Sequence, residues 1–132
     1  MFETVEIEDN KGVATIWMNR PDVHNAFNAQ VIADLTNAFR TLAAMDSVRI
    51  VILAGRGKSF SAGADLHWMK AAGEASFEAN LDDARRLTAM LRTLAELSKP
   101  TIARVQGAAL GGGMGLAAAS DICVASTKAS FA

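Results

Sequence analysis

Residues 105–116 read VQGAALGGGMGL, with three consecutive glycines between an apolar segment and an alanine-rich run. A strand, a glycine turn and a helix start in this order leave backbone N–H groups without helical partners, at the positive end of the helix dipole. Because glycine has no Cβ atom, a ligand oxygen can approach its amide closely. The stretch fits a site for an anion or a polarised carbonyl. Close packing of small residues is the alternative, and these residues alone do not separate the two.

The composition is that of a globular protein: of 132 residues, 51% are hydrophobic and 20% charged, with a formal net charge of -1. Basic residues are interspersed with acidic ones, so nucleic acid is not an expected partner. The chain has no apolar run of membrane-spanning length and no signal-peptide pattern, so we expect a cytoplasmic protein without a membrane partner. Cys123 is the only cysteine, and its apolar neighbours predict a small buried side chain.

Hydrophobic periodicity predicts strands that alternate with helices. Such a pattern indicates an α/β fold in which helices connect parallel strands. Ligands in these folds bind beyond the carboxyl ends of the strands. Both the glycine run and the segment SFSAGADL at residues 59–66 follow predicted strands. The predicted strands are residues 5–8, 13–18, 49–53, 101–105 and 122–125, and the predicted helices begin near residues 28, 65, 77 and 114.

Two phosphate-binding motifs fail on this sequence. The GKS at residues 57–59 would need glycine at position 52 to complete a P-loop, and that residue is Ile52. A dinucleotide fingerprint that starts at Gly111 would need glycine at position 116, which is Leu116. His24 and His67 lack the spacing of a metal site, so no metal is expected.

The segment AGAD at residues 62–65 is a second glycine turn, with Asp65 placed to cap the helix that follows. Two turns of this kind facing each other can form an oxyanion hole, in which two backbone amides stabilise developing negative charge. The second turn therefore favours a binding site over simple packing.

Several segments together resemble the enoyl-CoA hydratase/isomerase (crotonase) superfamily. They are NRP at residues 19–21, HNA at 24–26, FSAGADL at 60–66, KPTIA at 99–103, GAALGGG at 107–113 and DI at 121–122. Residues 67–69 and 114–116 are similar to the branch that hydrates methylglutaconyl-CoA and isohexenylglutaconyl-CoA. The resemblance implies a spiral of ββα turns, with residues 1–132 forming the N-terminal part of one crotonase-like domain, truncated before its C-terminal helical part.

The resemblance also implies a substrate, an assembly and a set of site residues. The substrate is an acyl-CoA thioester that brings its own coenzyme A, so no separate cofactor is needed, and the full-length protein assembles as a trimer or hexamer. The amides of Ala64 and Gly112 would hold the thioester oxygen as an oxyanion hole. The residues implied in substrate binding are Val23, Ala26, Ala62, Gly63, Asp65, Leu66, Trp68 and Gly111. Of these, Asp65 also fits a helix cap and Trp68 fits core packing.

Two departures from the family pattern leave the activity open. Gly115 stands where two-glutamate hydratases carry their first acid, and the second acid would fall just after Ala132, where the chain ends. No general acid or base is therefore assigned. Three functions remain: an enoyl-CoA hydratase that adds water across a 2,3 double bond, an isomerase that uses the same oxyanion hole, and a truncated domain that binds CoA thioesters or assembles without catalysis.

Overall fold

In the computed structural model, which describes residues 2–132, a five-stranded sheet is the base of the fold. Its order is β1-β2-β3-β4-β6. The first two strands form an antiparallel hairpin, and β2, β3, β4 and β6 run parallel. A second, two-stranded sheet pairs β5 with β7. The strands are β1 Val5–Asn10, β2 Val13–Met18, β3 Ile50–Gly55, β4 Thr101–Val105, β5 Ala108–Ala109, β6 Ile122–Ala125 and β7 Ser130–Phe131.

Four helices connect these strands: α1 Ala29–Ala44, α2 Leu66–Glu74, α3 Phe77–Ala95 and α4 Gly112–Ala119. Side chains cap three of them, because Asn28, Asp65 and Ser76 each accept hydrogen bonds from amides in the first turn. A short 3₁₀ turn, Pro21–Val23, lies between β2 and α1. Among residues 2–132, no helix combines the length and the apolarity that a membrane span requires.

The core lies between one face of the five-stranded sheet and helices α1, α3 and α4. On β2, Ala14, Ile16 and Met18 point into it, and on α1 Leu35 and Phe39 are fully buried. Period-two alternation puts the intervening β2 residues, Trp17 among them, on the opposite face. That opposite face is half-exposed, so the sheet has one packed side and one open side.

The structure confirms the predicted α/β class and the parallel crossover connections. Strand β3 extends two residues beyond its predicted end, and α4 begins two residues earlier than predicted, at Gly112. The two-residue strands β5 and β7 were not predicted, because so short a segment has no measurable periodicity. The prediction that Cys123 is buried was wrong. Cys123 lies on the edge strand β6, all four residues of which are exposed.

Candidate active site

The two glycine turns lie side by side at the end of the sheet. Gly63 and Gly111 both have positive φ angles, of 84° and 54°, which other residues rarely adopt. A Cβ atom built on Gly63 would lie 2.6 Å from the carbonyl oxygen of Leu110 and 3.6 Å from the amide nitrogen of Gly112. The turns therefore meet backbone to backbone, and a side chain at position 63 would force them apart.

The amides of Ala64 and Gly112 are both free to bind an external acceptor. Neither N–H group has a hydrogen-bond acceptor within residues 2–132. The amides of the next residues do have acceptors: Asp65 donates to the Phe27 carbonyl at 2.7 Å, and Gly113 donates to the Leu110 carbonyl at 2.8 Å. Ala64 is exposed and Gly112 half-buried, so a ligand can reach both. Two accessible donors without partners on adjoining turns suit an oxyanion hole.

Phe27 contacts both turns and so fixes their separation. Its amide donates to the Gly63 carbonyl at 2.7 Å, and its own carbonyl accepts the Asp65 amide. Its buried ring lies against Gly112, where an added Cβ would come within 2.6 Å of a ring carbon. Sequence reasoning missed this role. The position of Phe27, just before a helix cap, signals burial, but it carries no information about the distant glycine run.

Asn25 fastens the loop of residues 20–27 to the segment that precedes the AGAD turn. The buried Asn25 side chain donates to the carbonyls of Arg56, Ser59 and Phe60 at 2.9 to 3.2 Å, and accepts the Arg20 amide at 2.9 Å. Next to it, the His24 carbonyl accepts the amide of Ala62 at 2.9 Å. These bonds hold the Val23–Ala26 loop against the AGAD turn before any ligand arrives.

Asp65 is the N-cap of α2, as its position predicts. One carboxylate oxygen accepts the amides of His67 and Trp68 at 2.8 and 3.1 Å, and the other lies 3.3 Å from the Arg20 guanidinium. The bond from the Trp68 amide, with those from His67 and Arg20, holds the pKa of Asp65 below its ordinary value despite burial. A carboxylate held ionised in this way is a poor proton donor.

A pocket of about 420 Å³ opens beside the AGAD turn and brings six of the predicted site residues together. Gly63 is buried behind it, and Trp68 lines two neighbouring grooves. Gly111 and Gly112 do not line the pocket, although Gly112 adjoins Gly63. The lining residues are Val23, His24, Ala26, Ala62, Ala64, Asp65, Leu66 and His67.

Gly115 points away from this pocket and toward α3. A Cβ atom at position 115 would lie 3.5 Å from a methyl group of Leu91, an ordinary contact. The two histidines at the pocket are the titratable side chains not committed to a cap. His24 Nδ1 lies 3.0 Å from the Ser59 hydroxyl, and His67 is exposed. Among residues 2–132, no three His, Cys, Asp or Glu side chains come together as metal ligands.

The fold and the paired glycine turns define a crotonase-type α/β chain. Over 98% of its length it superposes on an enoyl-CoA hydratase from Shewanella pealeana, with a TM-score of 0.96 and 40% identity, covering 49% of that chain. The sequence model of the family described as enoyl-CoA hydratase/isomerase matches residues 8–132. This chain belongs to the enoyl-CoA hydratase/isomerase family.

Proteins with different activities are similar in sequence to this chain. A 4-chlorobenzoyl coenzyme A dehalogenase from Arthrobacter is 36% identical over 128 residues, which are 96% of this chain and 46% of that protein. The 1,2-epoxyphenylacetyl-CoA isomerase of Escherichia coli is 35% identical over 133 residues, which are 99% of this chain and 50% of that protein. The chain therefore spans about half the length of these relatives. Membership of the family does not decide among hydration, isomerisation and dehalogenation.

Proposed function

We propose that the full-length protein acts on acyl-CoA thioesters as an enoyl-CoA hydratase. The observation that carries this is the pair of free amides at Ala64 and Gly112, on turns held together by Phe27. Both amides donate to the thioester oxygen, which gains negative charge when water adds at C3 and an enolate forms. Protonation of C2 then completes the addition. Removal of one such donor typically costs about 2.7–4 kcal/mol of transition-state stabilisation.

Substrate binding is proposed for the residues around the pocket. The loop of Val23 and Ala26 lines the coenzyme A channel, and Ala62 contacts the adenine end. The exposed Leu66 and the half-buried Trp68 border the acyl group, while Gly63 and Gly111 allow the two turns their positive φ angles. Asp65 acts indirectly by capping α2 and holding Arg20. No cofactor beyond the substrate's coenzyme A is proposed.

Two alternatives to hydration remain, and only the first uses the same oxyanion hole for catalysis. An isomerase would move the double bond with a proton shuttle and no water. A domain that only binds thioesters or assembles is favoured by Gly115, whose position faces Leu91 and supplies no acid. Four expectations remain predictions. They are the branch that acts on glutaconyl-type substrates, the trimeric or hexameric assembly, the assignment of residues 1–132 to the N-terminal part of one crotonase-like domain, and the cytoplasmic location.

The test of function uses the full-length protein with three thioesters. A 2-enoyl-CoA should lose its conjugated absorbance on hydration, while a 3-enoyl-CoA gains it on isomerisation and 4-chlorobenzoyl-CoA releases chloride on dehalogenation. We expect the first activity to dominate, and binding of the thioester but not of NAD by calorimetry. Tight NAD binding without thioester binding would refute the assignment. Thioester binding with no turnover of any substrate would select the binding-only alternative.

A further inference from the structure

A second cavity lies on the open face of the sheet, on the opposite side from the helices. It measures about 600 Å³ and is formed where β2, β3, β4 and β6 end. None of its residues lines the candidate active-site pocket. The residues with side chains relevant to binding are Trp17, Arg56, Arg104, Val124 and Ser126.

Two arginines lie against the same indole ring in this cavity. The guanidinium carbon of Arg56 is 4.0 Å from the centroid of the Trp17 ring, and that of Arg104 is 5.5 Å from it. The small side chain of Ala54, paired with Trp17 across the strands, leaves the space that Arg104 occupies. Arg104 lies on β4, and Arg56 directly follows β3, where its amide donates to the Met18 carbonyl at 2.9 Å, so the sheet holds the backbone of both arginines.

The positive charge of the cavity is only partly balanced. Arg56 has one carboxylate partner, the half-exposed Glu6 at 3.3 Å, and within residues 2–132 Arg104 has none. No carboxylate lines the cavity. Two guanidinium groups held at one ring repel each other, and a bound anion would offset this repulsion.

One uncharged donor lines the cavity beside the arginines. The Ser126 hydroxyl accepts the Lys128 amide and keeps its own hydrogen available. The Gln106 amide, in contrast, is committed to the carbonyls of Gly55 and Gly57.

We infer that this cavity binds the phosphate group of a small phosphorylated molecule. The planar guanidinium groups of Arg56 and Arg104 contact the phosphate oxygens, since each offers N–H donors in a fork that matches such oxygens. The Trp17 ring and the apolar Val124 side chain pack against the organic part. The site is separate from the proposed thioester pocket and does not depend on its function.

The test measures Trp17 fluorescence in the full-length protein carrying Trp68→Phe, because Trp17 and Trp68 are its two tryptophans within these residues. ADP and inorganic pyrophosphate should change the signal, whereas adenosine should not. Arg104→Gln should weaken ADP binding by at least about tenfold. The control Arg85→Gln removes the same charge from the exposed face of α3. It should change the affinity for ADP by less than about twofold.

A set of outcomes would overturn the inference. If Arg104→Gln and Arg85→Gln weaken ADP binding equally, the effect comes from net charge and not from the cavity. Adenosine binding as tightly as ADP would exclude the phosphate as the recognised group. Loss of the ADP signal on saturation with a CoA thioester would assign the binding to the other pocket. Survival of ADP binding beside bound thioester supports two separate sites.

Discussion

The ring of Phe27 lies against Gly112, so that a Cβ atom added at position 112 would come 2.6 Å from the Phe27 Cε2 atom. Phe27 is fully buried and also pairs through its backbone with the AGAD turn. This contact explains why position 112 excludes a side chain even though its φ angle is not positive. The spacing of the two free amides depends on it.

The first prediction concerns this contact. Gly112→Ala should lower the free energy of unfolding by about 1–3 kcal/mol, because the added methyl group overlaps the Phe27 ring. Phe27→Leu removes the overlapping ring atoms, so the double variant should lose less stability than the two single variants added together. Urea unfolding of all four proteins measures the coupling. Strict additivity would show that the two residues do not constrain each other.

A second prediction compares two glycines of α4. Gly115→Ala should raise the free energy of unfolding by about 0.5–1 kcal/mol, because alanine favours the helix and its Cβ meets Leu91 at 3.5 Å. Gly113→Ala should lower it, because that Cβ would lie 2.9 Å from the Cβ of Ser61 and closer still to the Ser61 carbonyl. Thermal melts of the two variants should shift in opposite directions. Equal shifts would contradict the packing described for α4.

The third prediction addresses the loop that Asn25 holds. Asn25→Ala leaves the Arg20 amide and the buried carbonyls of Ser59 and Phe60 without this partner, at about 1–3 kcal/mol for each buried group left unpaired. We expect Asn25→Ala to lower the free energy of unfolding well beyond Asn80→Ala, because the Asn80 side chain donates only one bond, to the Ala72 carbonyl. Urea denaturation of the two variants measures both losses. Similar losses of stability in both variants would show that Asn25 does not hold the loop in place.

The fourth prediction follows from Asp65. Its pKa in the folded protein lies below the ordinary 3.8, so its charge stabilises the fold above that pH, and this stability is lost as the pH falls through the folded value. Asp65→Asn keeps a capping oxygen but loses the charge beside Arg20. The variant should therefore be less stable than the wild type near pH 7, and the difference should narrow below about pH 3.8.

The exposed Asp46 serves as its control, since within residues 2–132 its side chain makes no hydrogen bond. Asp46→Asn should change the free energy of unfolding by less than about 0.5 kcal/mol at pH 7. A difference for Asp65→Asn that grows on acidification would mean that the sign of the pKa shift is wrong.

Local patterns predicted much of the fold. The cap at Asn28, the alternation along β2 and the glycine turns each depend on residues close in sequence, so the chain itself carries the signal. The burial predicted for Cys123 was wrong for a different reason. Its apolar neighbours indicate a strand, but whether a strand is central or lies at an edge depends on which strands pair with it, and β6 pairs with β4 alone among residues 2–132.

The candidate site was predictable only where a motif marked it. The two glycine turns indicated an oxyanion hole, and the family resemblance assigned it to the amides of Ala64 and Gly112. Phe27 and Asn25, which fix the distance between these turns and the adjoining loop, act mainly through contacts with residues 31 to 85 positions away. Neither periodicity nor turn chemistry reports on contacts of that range.

The proposal depends most on whether the two amides stabilise the enolate oxygen. Ala64→Pro tests this, because alanine already has a Cβ and the deleted N–H has no acceptor within residues 2–132. Proline also fixes φ at about −65°. The matched variant Ala64→Ser alters the side chain and keeps the amide. Both are made in the full-length protein, and thermal melting first establishes that each is folded.

The decisive measurement is the steady-state turnover of a 2-enoyl-CoA by Ala64→Pro. We predict that kcat and kcat/KM fall together by about 10²- to 10³-fold, because the lost donor acts in the transition state. Ala64→Ser should lose less than about tenfold, since it keeps that donor. A folded Ala64→Pro protein that keeps near-wild-type kcat would contradict the assignment of the oxyanion hole to Ala64 and Gly112.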